Sequence, residues 1–246
     1  MKKTVLILTS LIFVLEITSF AQSAEDILGK MDALMLAPKD KQSIFRMTLM
    51  DKNGRGMIKE AELFQKKTGE RLTRYTKPEN QAGISTLFLP DGTVWLYMPA
   101  LGNPKKISGL ANSQAFNNTD FAIEDMSSTP YLKRYSPELI QNSPANYILE
   151  LTPREEETGY SKLVVTINKK FYYPEVIEYF DRTGKKSKEA VYEYEKVGSY
   201  WNARKIEMTD IKKEHSTTIE SLSVQFDKGL PDSIFLVDNL RPPKEE

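Results

Sequence analysis

Beyond Pro38 the chain is written in short runs that alternate apolar and polar residues and stop at turn formers, a pattern that points to an antiparallel sheet rather than a helical bundle. Phe45, Met47 and Leu49 alternate with Arg46 and Thr48, and the run stops at Asn53-Gly54. Later breaks fall at Thr68-Gly69, Pro90-Asp91-Gly92, Gly102-Asn103-Pro104, Thr158-Gly159 and Arg182-Thr183-Gly184-Lys185, all of hairpin type. Between and beyond them stand Tyr147, Leu149 and Leu151; Leu163, Val165 and Ile167; Val176 with Phe180; Tyr192 with Tyr194; Trp201 with Ala203; and Leu222, Val224 and Phe226. Runs of this kind have one wet face. The stretch from Thr93 to Met98 is apolar on both faces, so each needs a cover. Residues 110–145, broken by Asn, Ser and Pro, read as loop and as a candidate lid over the sheet.

Ahead of the sheet, Ser23 is a candidate N-cap, and Ile27, Leu28, Met31, Leu34 and Met35 recur at helical spacing until Pro38. One amphipathic helix over about 24–36 is predicted. The first 21 residues have a basic start at Lys2-Lys3, an apolar run from Val5 to Ile17 and a small-x-small end at Ser19-Phe20-Ala21. They read as a secretory signal peptide cleaved after Ala21, leaving residues 22–246 as a single soluble periplasmic domain. Glu16 interrupts the apolar run, which is short for a membrane span.

The chain has 34 basic and 34 acidic side chains and no cysteine. Phosphate neutralisation needs a basic excess, so nucleic-acid binding is disfavoured. Without cysteine there is no disulfide, thiolate metal site or cysteine nucleophile, and the core must supply the stability.

Several motifs imitate chemical sites. Asp51 to Glu62 matches a calcium-binding loop at its first, third, sixth, eighth and twelfth positions, but Arg55 stands where an oxygen ligand belongs and the flanking alternation is that of strands. It reads as a β-hairpin. His215 is the only histidine and lies among Lys212, Lys213 and Glu214, so it is expected to be solvated and cannot complete a zinc site. A serine triad would rest on His215 alone, and no nucleophile-elbow motif occurs. The acids Asp120, Glu124 and Asp125 are read as solvated loop carboxylates. No catalytic residue, metal or cofactor is expected.

Residues 83–126 resemble a known family. Gly83 leads a strand; Trp95-Leu-Tyr-Met-Pro99 follows; Lys105-Lys106 precede Ile107-Ser108-Gly109; Phe116 comes next, and then Asp120-Phe-x-x-Glu-Asp125. This combination is similar to the outer-membrane lipoprotein-sorting family, the LolA-like group, and Leu230 to Leu236 is similar to its closing segment. Two departures stand out: Asn118-Thr119 replaces a usual Gly-Ser pair, and lysines stand at 105 and 106 where the family often has arginine. Lysine gives up arginine's planar bidentate contacts.

The resemblance implies a mainly β fold with some helix: a strongly curved, incomplete antiparallel barrel of LolA/LolB type, covered by a few helices around an apolar cavity. It implies a periplasmic carrier for acyl chains of lipoproteins or lipids bound for the outer membrane, with a possible inner-membrane transporter as partner. The rival expectation is an envelope sensor or accessory module of the same fold that binds an exporter or an anti-sigma factor. From the residues themselves, Met47, Leu49, Met57, Trp95, Tyr97, Met98, Phe116, Phe121 and Met126 are the candidate lining of an apolar cavity, because methionine and aromatic side chains offer large, adaptable surface.

Overall fold

A computed structural model describes residues 22–107 and 115–241. The leader 1–21, Ser108-Gly109 of the family signature and residues 110–114 lie outside these. Helix α1 spans Ala24–Met35, and the Ser23 hydroxyl accepts from the Asp26 N–H at 3.1 Å, as the sequence predicts. Its buried side is Ile27, Leu28 and Met31.

The rest is dominated by β-strands: β1 (Asp40–Met50), β2 (Gly56–Lys66), β3 (Arg71–Lys77), β4 (Ser85–Phe88), β5 (Val94–Tyr97), β6 (Lys105–Ile107), β7 (Tyr135–Asn142), β8 (Asn146–Pro153), β9 (Tyr160–Asn168), β10 (Pro174–Asp181), β11 (Lys186–Val197), β12 (Tyr200–Asp210) and β13 (His215–Phe226). A short helix α2 (Tyr131–Arg134) precedes β7. The strands form one antiparallel sheet in the order β6-β5-β4-β3-β2-β1-β13-β12-β11-β10-β9-β8-β7. One meander runs outward from β1 to the edge strand β6. The chain then crosses to the opposite edge at β7, and a second meander returns to β13 beside β1. The sheet is curved but not closed, and β6 and β7 are its edges.

Local chemistry sets the hairpins. Asp51-Lys-Asn-Gly54 and Asp181-Arg-Thr-Gly184 are built alike: each aspartate carboxylate accepts from N–H groups two and four residues on, and each glycine takes a left-handed conformation, with φ of 74° and 80°. The β1–β2 ladder is unbroken from Asp40 opposite Lys66 to Met50 opposite Gly56. The calcium-loop imitation is therefore a hairpin, and Arg55 turns back to bond Asp51 at 2.9 Å.

Three apolar clusters form the core. Two lie on the inner face: one joins α1 to β8–β12, with Leu149, Leu163, Val165, Ile177 and Met208, and the other joins Met47, Leu49, Ala61, Tyr75, Phe88 and Val94. Met126 and Ile219 pack against both. The third lies on the outer face of β2–β5, where Leu72, Leu87 and Tyr97 are covered by Phe235 and Leu240 of the C-terminal segment.

Three details differ from the sequence expectation. The loop-like stretch 110–145 contains β7, which pairs with β8 alone and tolerates Pro137 because it is an edge strand. In β10 the core residues are Ile177 and Tyr179, while Val176 and Phe180 are only half-buried. Leu222 is exposed because a β-bulge skips it where Ile44 pairs with Ser223 and Phe45 with Ser221.

Candidate functional site: the covered inner face

The segment 115–134 lies over the inner face and is pinned to both meanders. Asn117 and Asn118 both adopt left-handed backbone, with φ of 51° and 61°, and the Thr119 hydroxyl donates to the Phe116 carbonyl at 2.7 Å. Asparagine tolerates this conformation best after glycine. The Phe116 ring stands 6.2 Å from that of Tyr75.

The acids of the Asp-Phe-x-x-Glu-Asp motif are the pins. Asp120 is 2% exposed and accepts from His215 Nδ1 at 2.7 Å and from the Thr217 hydroxyl at 2.6 Å, both on β13. Glu124 accepts from the Thr158 hydroxyl at 2.7 Å and the Gly159 N–H at 3.0 Å, and Asp125 from the Tyr160 hydroxyl at 2.9 Å. Burial raises the Asp125 carboxyl above the usual range, against the pull of Lys188 at 3.6 Å. Further along, the Ser128 hydroxyl donates to the Gly69 carbonyl, and Asp32 of α1 accepts from the N–H groups of Tyr131 and Leu132 at 2.8 and 2.9 Å. His215 and Asp120 are thus not the solvated side chains the sequence suggests. Thr217 bonds the same carboxylate as His215 rather than its ring, so the three form a clamp. Among the described residues no group of three or more His, Asp or Glu is placed to hold a metal ion.

Two cavities flank this segment, and Ser127 and Thr129 line both. One, of about 460 Å³, lies between the two sides of the open sheet, with Phe88 and Val94 on one wall and Tyr135, Pro153 and Thr158 on the other. The second, of about 160 Å³, lies under the C-terminal end of α1. Leu63 of β2 and Arg71 of β3 face Tyr192, Ala203 and Ile206 of β11 and β12 across it, although β1 and β13 intervene in the sheet. Such contact requires strong curvature. Its aromatic wall, Tyr192, Tyr194 and Trp201, is backed by Phe171 and Tyr173: the rings of Tyr173 and Tyr194 stack at 4.3 Å, and that of Phe171 lies tilted against Trp201 at 4.8 Å.

The inner face also carries cations that the strand pattern hides. Lys59, opposite Met47 in the ladder, is wholly buried; it donates to the Asn117 carbonyl and sits 5.7 Å from the centre of the Tyr75 ring. Burial pushes its ammonium down to about 8. Lys41 and Arg71 line the smaller cavity.

Of the nine residues expected to line a cavity, Met47, Leu49 and Phe116 meet in one inner cluster with Met98 and Met126 packed against it, and Phe121 lies in the neighbouring inner cluster. Trp95 and Tyr97 do not join them. They face outward into the cluster under the C-terminal segment, so the two-faced strand is β5, with Val94 and Leu96 inward. Met57 is 45% exposed at the β1–β2 hairpin end. Sequence reasoning missed the wall of the smaller cavity. Its aromatic part was legible as the Tyr192, Tyr194 and Trp201 alternation, but its cations gave no signal.

Comparison with known proteins places this architecture. A family model described as an uncharacterized protein matches residues 67–242, more than half of the chain. No curated protein matches. Among solved structures, a domain from Vibrio parahaemolyticus assigned to outer-membrane lipoprotein sorting is 25% identical, with a TM-score of 0.80 over 88% of this chain and 99% of its own. A DUF1329 family protein from Desulfovibrio piger, 22% identical, has a TM-score of 0.81 over 89% of this chain and 98% of its own. A LolA superfamily protein from Nitrosomonas europaea, also 22% identical, has a TM-score of 0.75 over 89% of this chain and 99% of its own. The chain therefore belongs to the family of uncharacterized proteins whose model spans residues 67–242, and along nearly its whole length it shares the fold of an outer-membrane lipoprotein-sorting domain and of a LolA superfamily protein.

Proposed function

We propose that the chain is a periplasmic carrier that takes acyl chains of a lipoprotein or lipid onto the inner face of its sheet and passes them towards the outer membrane. The observation that carries this reading is the covered inner cavity: an apolar and aromatic hollow inside an open sheet, separated from the gap between the sheet edges by one segment that side chains hold in place. At about 160 Å³ the hollow is smaller than the roughly 300–1,000 Å³ of a typical ligand site, so a full acyl chain enters only as residues 115–134 move aside. Each hydrogen bond from a neutral donor to a pinning carboxylate contributes about 1.5–3 kcal/mol, and each buried methylene returns about 0.8 kcal/mol. A chain of a dozen or so methylenes therefore has enough to offset several pins. No helix among the described residues is long and apolar enough to cross a membrane. An inner-membrane transporter is the natural source of the cargo.

Native mass spectrometry of the protein taken from its own periplasm tests the reading. Co-purifying acyl lipid or lipoprotein is the expected result. Recovery of empty protein that also fails to bind a fluorescent fatty acid or a diacylated peptide would overturn it.

A further inference from the structure

The smaller cavity carries positive charge that no carboxylate among the described residues of its wall balances. Phe226, Lys41, Gln65, Arg71 and Phe88 stand in register on β13, β1, β2, β3 and β4, so they form one row across the inner face. Strands lie about 4.8 Å apart, which sets Lys41 and Arg71 roughly 10 Å apart at Cα and lets their long side chains lean into one space. Among the described residues Arg71 has no side-chain ion pair, and its Nε is buried without a partner. Lys41 Nζ donates to the neutral Asn202 Oδ1 at 2.9 Å. Among the described residues the one acid on the cavity wall, Asp32, is occupied by the N–H groups of Tyr131 and Leu132. Glu195 is reached only through Asn202, whose Nδ2 donates to it at 3.1 Å.

Two cations that have lost water and face each other cost stability. Burial, with repulsion from Arg71, pushes Lys41 down to about 8, and burial brings Arg71 down to about 10. An apolar residue at either place would pack without that cost, and the neighbours Leu34, Leu36, Leu63 and Ile206 provide the setting for one. What the pair offers in return is a guanidinium fork and an ammonium aimed into a hollow with an aromatic wall, the donor set that grips an oxyanion.

We propose that this cavity binds the anionic head of a single-chain amphiphile, its carboxylate or phosphate oxygens held between Lys41 and Arg71 and its chain laid along Leu63, Ile206 and Tyr192. The proposal rests on the carrier reading and adds to it the charge and the orientation of the ligand. The head goes in first, beneath α1, and the tail extends towards the segment 127–131.

Displacement of a fluorescent fatty acid from the delipidated protein tests it, with palmitate, methyl palmitate and inorganic phosphate as competitors, on wild type, Lys41→Met, Arg71→Met, the double variant and Arg71→Lys. Methionine keeps the apolar stem, and thermal melting checks that each variant is folded. The expected result is that palmitate competes at least about tenfold more tightly than its neutral ester, a preference lost in the double variant and largely kept in Arg71→Lys. Equal competition by acid and ester in wild type, or a preference that survives the double variant, overturns the anionic-head proposal and leaves the carrier reading standing. Phosphate competing as tightly as palmitate makes this a free-anion site and overturns the amphiphile. Absence of any saturable probe binding removes the carrier reading, and this proposal with it.

Discussion

Asp120 and His215 lie 95 residues apart in sequence, and the carboxylate of one meets Nδ1 of the other at 2.7 Å in a place where Asp120 is only 2% exposed. Thr217 completes the contact twice, its hydroxyl donating to the carboxylate at 2.6 Å and accepting from the Asp120 N–H at 3.0 Å. This is where the lid is fastened to the central strand β13.

Asp120→Ala should therefore loosen the lid before it loosens the sheet. A loss of about 2–4 kcal/mol is expected from urea unfolding, the size of losing hydrogen bonds to a buried charge. Hydrogen exchange should quicken at 115–126 while β8–β10 stay protected. Uniform quickening across the sheet would show that Asp120 supports the fold and not the lid.

The ammonium of Lys59 gives a pH-dependent signature. Its folded-state value of about 8 lies below the ordinary 10.5, so between those values the unfolded chain holds a proton that the folded chain has released. Stability contributed at this position rises as pH climbs through that window. Lys59→Met lacks the effect and is expected to be more stable than wild type at pH 7, by about 1 kcal/mol on the cost of burying an ammonium against a neutral acceptor. Melting curves at pH 7 and pH 10 check this: the advantage of the variant should shrink at the higher pH. An advantage that grows with pH would refute it.

Trp95 and Tyr192 separate the two faces of the sheet. Trp95→Ala should cost stability, about 3 kcal/mol for removal of a large packed aromatic, yet leave acyl-chain affinity within twofold in the fraction that folds. Tyr192→Ala, on the cavity wall, should weaken binding about tenfold or more through lost apolar contact. Reversed effects would place the ligand on the outer face, under the C-terminal segment.

Processing after Ala21 would begin the mature chain at Gln22, whose side-chain oxygen accepts from the hydroxyls of Tyr172 at 3.1 Å and Tyr147 at 3.3 Å. N-terminal sequencing of the periplasmic form should read Gln22 first. A retained leader in the membrane fraction would contradict the export reading.

Much of this architecture is legible in the sequence because backbone chemistry is local. The Asp51–Gly54 and Asp181–Gly184 turns announce their hairpins, and the alternation of Leu149, Leu151, Leu163 and Val165 announces the inner face. What sequence could not settle is which side of a strand each cover reaches. β5 is apolar on both faces, and only the C-terminal segment, arriving with Phe235 and Leu240, decides that Trp95 and Tyr97 face outward. Cations mislead in the opposite way. Charge alone assigns Lys41, Lys59 and Arg71 to solvent, whereas the register puts them on the inner face. The acids at 120, 124 and 125 look solvated because their partners His215, Thr217, Thr158 and Tyr160 are distant in sequence.

Every neighbouring pair of strands in the sheet is consecutive along the chain except one, β1 beside β13. Hairpin formation can zip each meander as soon as its strands are available, but the central seam must wait for residues 215–226. A polypeptide that emerges N-terminus first thus carries β1 with one side unsatisfied until almost all of it has emerged. Long-range closures of this kind are the slow steps of β-protein folding. The seam therefore acts as a clock: the sheet cannot lock while the chain is still emerging, and the cavity, whose walls come from both meanders, is complete only after the last strand has arrived.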